Sequence, residues 1–189
     1  MKLISGGVCA AKGFRAAGIH CGIRRNHSKK DLALIVSDVP AAAAAVYTTN
    51  LVKGAPLTVT KKNISDGKAQ AVICNSGNAN TCNAGGIEIA EGMCALVQQH
   101  TGISASDVVV ASTGVIGQPL SLDPIASAME ALTAQLDPDG SANAAAAIMT
   151  TDTCPKEVAV EFTVGGVPCR MGGIAKGSGI HIRPSPFTL

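Results

Sequence analysis

Apolar and polar positions follow two rhythms along this chain, and the switches between them predict an interleaved set of strands and helices. The run from Leu32 to Ser37 is rich in β-branched and aliphatic residues and predicts a strand, ended by Asp38-Val39-Pro40. Further extended pieces are expected at Val46 to Thr49 and Pro56 to Thr60. Gln70 to Cys74 reads as a short buried strand running into the turn-rich stretch Asn75-Ser76-Gly77-Asn78-Ala79-Asn80. From Gly86 to His100 the apolar positions Ile87, Ala90, Cys94 and Val97 recur at three- and four-residue steps, which predicts an amphipathic helix closed by Gly102. Val108 to Ala111 predicts another strand. Ser121 is placed to cap a helix through Leu136 with Pro124 in its first turn, and Ser141 to cap an Ala-rich helix ending near Met149. Two period-two segments, Glu157 to Val164 and Val167 to Ile174, meet at Gly165-Gly166, a hairpin signal. The first thirty residues are punctuated by glycine and read as irregular. This order of elements predicts a mixed α/β fold.

Composition narrows the picture. At 189 residues the chain can bury one sizeable core, filled by Ala, Val, Ile and Leu because aromatics are only 2%. A formal charge of +2, from fifteen basic and thirteen acidic residues, is too small to point to a nucleic-acid or membrane-surface partner. The one basic run, Arg24-Arg25-Asn26-His27-Ser28-Lys29-Lys30, lacks interleaved aromatics and reads as a solvated loop. Seven cysteines without a C-x-x-C pair suggest reduced, mostly buried thiols and neither a zinc site nor a disulfide framework. No apolar run reaches the ~20 residues that cross a bilayer, and the start lacks a signal-peptide apolar region, so the expected location is the cytoplasm, with no membrane partner.

Four polar, Gly-containing segments interrupt the apolar elements: Asn75 to Asn80, Ser112 to Gly117, Thr150 to Thr153, and Lys176 to Gly179. The first is satisfied by an Asx-turn cluster bonding its own backbone. Ser112-Thr113-Gly114 could form an oxyanion hole, a hydroxyl beside a glycine amide, but by itself the tripeptide better suits a strand-to-helix turn that needs an unusual φ. Thr150-Thr151-Asp152-Thr153 suits either a polar amino-acid substrate or the orphan carbonyls of a helix end. Lys176-Gly177-Ser178 looks superficially like a phosphate loop, but its Lys precedes Gly and prolines follow; a lysine here better pairs a substrate carboxylate. The four histidines lie beside no evident nucleophile, and Cys154 has no histidine near it in sequence.

In their wording and order these segments resemble the ornithine acetyltransferase family along nearly the whole chain. The resemblance runs through Gly7 to Phe14, Asp31 to Ile35, Ala45 to Asn50, Asn75 to Asn80, Ala111 to Gly117, Ile148 to Thr153, Pro155 to Glu157 and Ala175 to Gly179. It implies the α-chain, amino-terminal part of a precursor that cleaves itself before a threonine, the new terminal Thr of the β chain being the nucleophile. It further implies acetyl transfer from N-acetylornithine to glutamate in arginine biosynthesis. Carried over by residue, Thr113 and Gly114 form the oxyanion hole while Thr150 and Lys176 bind substrate. No metal or organic cofactor is implied, although acetyl-coenzyme A can serve as donor. The implied fold is a layered α/β sandwich shared with some self-cleaving aminopeptidases, completed by the β chain in a heterotetramer.

Residues 1–179 carry this resemblance and 180–189 leave it. Where the family continues Met-Ile-x-Pro-Asn-Met-Ala-Thr-Met-Leu, this chain reads Ile180-His181-Ile182-Arg183-Pro184-Ser185-Pro186-Phe187-Thr188-Leu189. With one inserted residue Thr188 falls at the nucleophile, behind Phe187 in place of a small residue. Two other readings therefore stand beside the acetyltransferase. One is an inactive fragment or binding remnant with an exposed sheet edge; the other is a self-processing amidase or aminopeptidase.

Overall fold

A computed structural model describes residues 1–177. The tail predicted at 180–189, with Thr188, lies outside the described residues. Four strands form the central sheet in the order β2-β3-β4-β5: β2 (Phe14–Ile19), β3 (Leu32–Ala42), β4 (Lys68–Asn78) and β5 (Val108–Val115). The first two pairings are antiparallel and β4–β5 is parallel, its crossover made by helix α2 (Gly86–Thr101). A three-stranded sheet in the order β1-β6-β7 joins β1 (Lys2–Ile4), β6 (Lys156–Val164) and β7 (Val167–Ala175). The last two pair as the expected hairpin across Gly165-Gly166, both at positive φ.

The β3 run is apolar almost throughout because both faces are covered. Leu32, Leu34 and Val36 point to one side, into a core with Ile73 and Ala71 of β4, Val108 and Val110 of β5, and Met93 and Val97 of α2. Met129 and Leu132 of α3 (Asp123–Ala134) and Val59 of α1 (Ala55–Asn63) close that layer. Ala33 and Ile35 point the other way, to a second core of small residues with Ala144 and Ala147 of α4 (Ser141–Ala147). Helix α4 lies on β2 and β3 and also touches β6 and β7, so the order of layers is helices, sheet, helix α4, sheet.

Several elements differ from the sequence expectation. Pro56 to Thr60 is helical: Pro56 sits in the first turn, Lys61 and Lys62 complement the negative end of the helix dipole, and Pro56, Val59 and Thr60 bury one face at helical spacing. The same helix covers the free edge of β5. The Thr60 hydroxyl donates to the Val110 carbonyl at 2.8 Å and accepts from its amide at 3.0 Å, while Asn63 Nδ2 donates to Ala105 and Val108 carbonyls. β2 lies within the stretch read as irregular. Its residues, Phe-Arg-Ala-Ala-Gly-Ile, lack a β signature because α4 leaves no room for larger ones; a Cβ on Gly18 would lie 2.1 Å from the Asn143 carbonyl oxygen. Val46 to Thr49 forms no strand, and Ser121 lies one residue outside the α3 cap, bonded to Asp123. Ser141 caps nothing; its hydroxyl accepts from the Val8 amide and donates to Glu157 Oε2. Of the cysteines only Cys94 is buried, Cys82 and Cys154 are exposed, and the rest lie between; all are free thiols.

Leu34 has no exposed surface and Val46 is wholly exposed. Leu34→Ala is expected to cost about 2–5 kcal/mol in urea unfolding, and Val46→Ala to stay within about 0.5 kcal/mol.

Candidate active site

The parallel strands β4 and β5 end together. Their register pairs Asn75 with Ser112, Ser76 with Thr113 and Gly77 with Gly114, so two of the four polar segments become one surface at the carboxyl ends of parallel strands, where open α/β sheets bind ligands. The asparagine amides hold the frame. Asn75, fully buried, donates to the Asn78 carbonyl at 3.0 Å and accepts from the Ser112 hydroxyl at 2.5 Å. Asn78 donates to the carbonyls of Gln118 and Pro119, and Asn80, at φ 48°, donates to Gly86. Backbone bonds from Ala79 to Val115 and from Gly117 to Thr81 complete the seam. The turn cluster expected over Asn75 to Asn80 is found only in part: Asn75 to Asn78 extend strand β4, the Asn75 amide and the Asn78 Oδ1, which accepts the Asn80 amide, bond within the segment, and the Asn78 and Asn80 side-chain amides reach carbonyls outside it.

Thr113 is half-buried and Gly114 is exposed at φ 137°. Glycine is required at 114 for two reasons that act together: the positive φ, and the approach of β4, which would put a Cβ 2.3 Å from the Gly77 carbonyl carbon. The pair lies at the open end of the strands, with the Thr113 side chain partly accessible.

Thr150 and Lys176 are brought together by a residue between them in sequence. Asp152 is buried; its Oδ2 accepts the Thr150 amide at 3.1 Å, and its Oδ1 accepts the Gly177 amide and Lys156 Nζ, both at 2.7 Å. The turn after α4 is thereby pinned to the end of β7. The Lys156 ammonium foremost, then the Gly177 amide and, more weakly, the Thr150 amide hold the Asp152 carboxyl far below the usual carboxylate range, against the opposing effect of burial. Thr150 is half-buried and Lys176 exposed.

Two hydrogen bonds and one charge interaction link these two halves. Ser76, fully buried, donates its hydroxyl to the Ala147 carbonyl at 2.6 Å. The Arg24 guanidinium donates to the Met149 carbonyl, and its stem crosses Gly77, where a Cβ would lie 2.9 Å from Arg24 Cγ. The Lys176 ammonium acts on the Cys74 thiol, one residue before Asn75, offsetting part of the burial that pushes that thiol up to about 12. Thr113 and Gly114 thus lie on one side of Ser76-Gly77, with Thr150 and Lys176 reached across it.

The reading of residues 24–30 as a solvated loop holds for Arg25 to Lys29, which are exposed, and fails for Arg24, which turns inward. Nothing in a run of basic residues marks which one faces in; the signal is Gly77, on a strand remote in sequence. Asp152 was legible as a carboxylate near a helix end, but its partner Gly177 was not. Cys154 is exposed on the turn before β6. Among the described residues no group of three or more His, Cys, Asp or Glu is placed to hold a metal, and no helix is long and apolar enough to cross a membrane. An apolar cleft of 360 Å³ lies at the other end of the strands, lined by Ile35, Ala41 to Ala45, Val72 and Val109. Its one side-chain amide, Gln70, donates to the Ser37 carbonyl, so no chemistry converges there.

The sequence profile of the ArgJ family matches residues 15–189. The chain is 48% identical to the arginine biosynthesis bifunctional protein ArgJ of Symbiobacterium thermophilum, over 100% of this chain and 47% of that protein. It is 47% identical to the protein of the same name from Thermosynechococcus vestitus, over 98% and 44%. The chain therefore spans about half the length of the curated relatives it matches. Among solved structures, the Bacillus halodurans arginine biosynthesis bifunctional protein superposes with a TM-score of 0.89 at 43% identity, covering 95% of this chain and 94% of that one. Mycobacterium tuberculosis ornithine acetyltransferase complexed with ornithine gives 0.85 at 37%, covering 95% and 96%.

The folded pKa of Asp152 lies below its unfolded value, so the stabilisation this clamp gives is complete above the unfolded value of about 3.9 and is lost as pH falls through the folded one. The Gly177 and Thr150 amide resonances are accordingly expected to stay flat from neutral pH down to about 3.9 and to move only in more acid solution. An inflection near or above that value would show that the carboxylate is not so held.

Proposed function

The chain belongs to the ArgJ family, and we propose that it forms the half of an ornithine acetyltransferase that holds the oxyanion hole and part of the substrate site. In this reading the hydroxyl of a terminal Thr on a second, β chain attacks the acetyl carbonyl of N-acetylornithine. The free α-amine of that Thr, or a water, takes the hydroxyl proton. Negative charge builds on the carbonyl oxygen, where the Thr113 hydroxyl and the Gly114 amide donate. Collapse breaks the C–N bond, the proton returns to the leaving amine, and ornithine departs from an acetyl ester on the Thr. The glutamate amine then attacks that ester and carries the acetyl group away. Thr150 and the Lys176 ammonium hold the amino-acid part of the substrate, the ammonium facing its carboxylate.

The observation that carries this reading is the parallel pairing of Ser76-Gly77 with Thr113-Gly114 at the strand ends, with Asp152 tying Thr150 to the end of β7 and Ser76 bonded to the Ala147 carbonyl at the end of α4. The superposition on a relative that binds ornithine supports it. A precursor divided into two chains fits the coverage, since this chain matches 94% and 96% of two solved chains but under half of two curated relatives, and a heterotetramer of α and β chains belongs to the same reading. Val46, Leu51 and Ile116, all exposed, offer apolar surface for the β chain. Acetyl-coenzyme A as a second donor, a cytoplasmic location and a place in arginine biosynthesis belong to the same reading. The inactive-fragment reading rests on the departure of residues 180–189 from the self-cleavage motif, with Phe187 before Thr188.

Joined to a β chain that begins with Thr, the protein is expected to transfer acetyl from N-acetylornithine to glutamate. Thr113→Ala should lower kcat by about 10²–10³ with little change in KM. A folded pair without transfer would establish the inactive fragment, and ornithine release that ignores glutamate would establish an amidase.

A further inference from the structure

The peptide unit between Met149 and Thr150 is held at both ends. Its N–H, on Thr150, donates to Asp152 Oδ2 at 3.1 Å; its carbonyl, on Met149, accepts from the Arg24 guanidinium. Carbonyls just past the end of a helix lack intrahelical donors and carry the negative end of its dipole, so a cation is a suitable partner there. Arg24 reaches this position because its own backbone is fixed. Asp31, fully buried, accepts the amides of Cys21 at 2.6 Å and Arg24 at 2.8 Å, while the Asp31 carbonyl accepts the Ser76 amide at 2.8 Å. The loop that carries Arg24 is therefore tied to the level of β4 that pairs with Thr113. The arm then crosses Gly77, where only the absence of a side chain leaves it room, and Arg24 Nε is buried without a partner. A solvated arginine would not give up that hydration; one recruited to fix a carbonyl does.

We propose that Arg24 is a positioning residue, which by fixing the Met149–Thr150 peptide sets the direction of the Thr150 side chain toward the Thr113–Gly114 pair. The role in substrate binding rests on the function proposed above; the role in fixing the peptide does not. A planar, permanently charged fork suits it better than an ammonium, so lysine replaces it only in part.

The test uses the chain joined to its β chain, with Arg24→Met, which keeps the stem over Gly77 and removes the donors, and with Arg24→Lys. Hydrogen exchange at the Thr150 amide is expected to quicken about tenfold or more in R24M, because an unpinned peptide opens locally. KM for N-acetylornithine should rise about tenfold while kcat changes by less than about threefold, the split expected when ground-state binding alone is weakened. R24K should recover part of both, and the melting temperature of R24M should stay near that of the parent. Unchanged exchange at Thr150 would overturn the proposal, and so would equal losses in kcat and stability with no change in KM. If the parent transfers no acetyl group, the functional reading fails, and exchange at Thr150 still decides whether Arg24 holds the peptide.

Discussion

The candidate site depends on one close approach: the backbones of β4 and β5 touch at Gly77 and Gly114 with no space for a Cβ on Gly114. Gly114 meets the Gly77 carbonyl carbon, and Gly77 in turn meets the stem of Arg24. Two backbones and the arginine stem are stacked here. This stacking sets Thr113 at the strand end, gives Ser76 its partner on α4, and opens the path by which Arg24 reaches Met149. A side chain at Gly114 would push β5 away from β4, and one at Gly77 would displace the Arg24 stem; both would strip partners from polar groups already buried, which is costly.

Around that contact the fold uses buried polar residues as ties between segments remote in sequence. Asp31 joins the 20–24 loop to β4, Asp152 joins the turn after α4 to the end of β7, and Ser141 joins the amino-terminal turn to β6. Each has more than one partner, which keeps the desolvated group satisfied and makes its geometry specific. Thr113, Thr150 and Lys176, the residues proposed to meet a ligand, are left partly or fully exposed. Division of labour between buried ties and accessible donors follows from this: a carboxylate holding three donors is unavailable for chemistry, whereas the groups it positions remain free to bind.

The second core, made of alanines, explains why small residues are so frequent. Ala16, Ala33, Ala144 and Ala147 let α4 lie close on the central sheet, and Gly18 lets it lie closer. That proximity is what brings the Thr150 turn, at the end of α4, to the level of Ser76. Larger residues would thicken the layer and carry the turn away from β5. The low aromatic content is thus connected to the site through packing distance.

Periodicity by itself determined the elements whose burial is regular: α2, the strands β3, β4 and β5, the β6–β7 hairpin at Gly165-Gly166, and hence a mixed α/β fold. The wording of the polar segments determined the family. Tertiary structure alone decided what had no local signature. β2 is a strand because β3 pairs with it and α4 forbids larger side chains, and 55–63 is helical because it covers the β5 edge through Thr60 and Asn63. Arg24, in a basic run, faces inward because a glycine on another strand leaves room. Local patterns record which face of an element is apolar, whereas the partner that a polar group meets depends on long-range packing, which no short window of sequence contains.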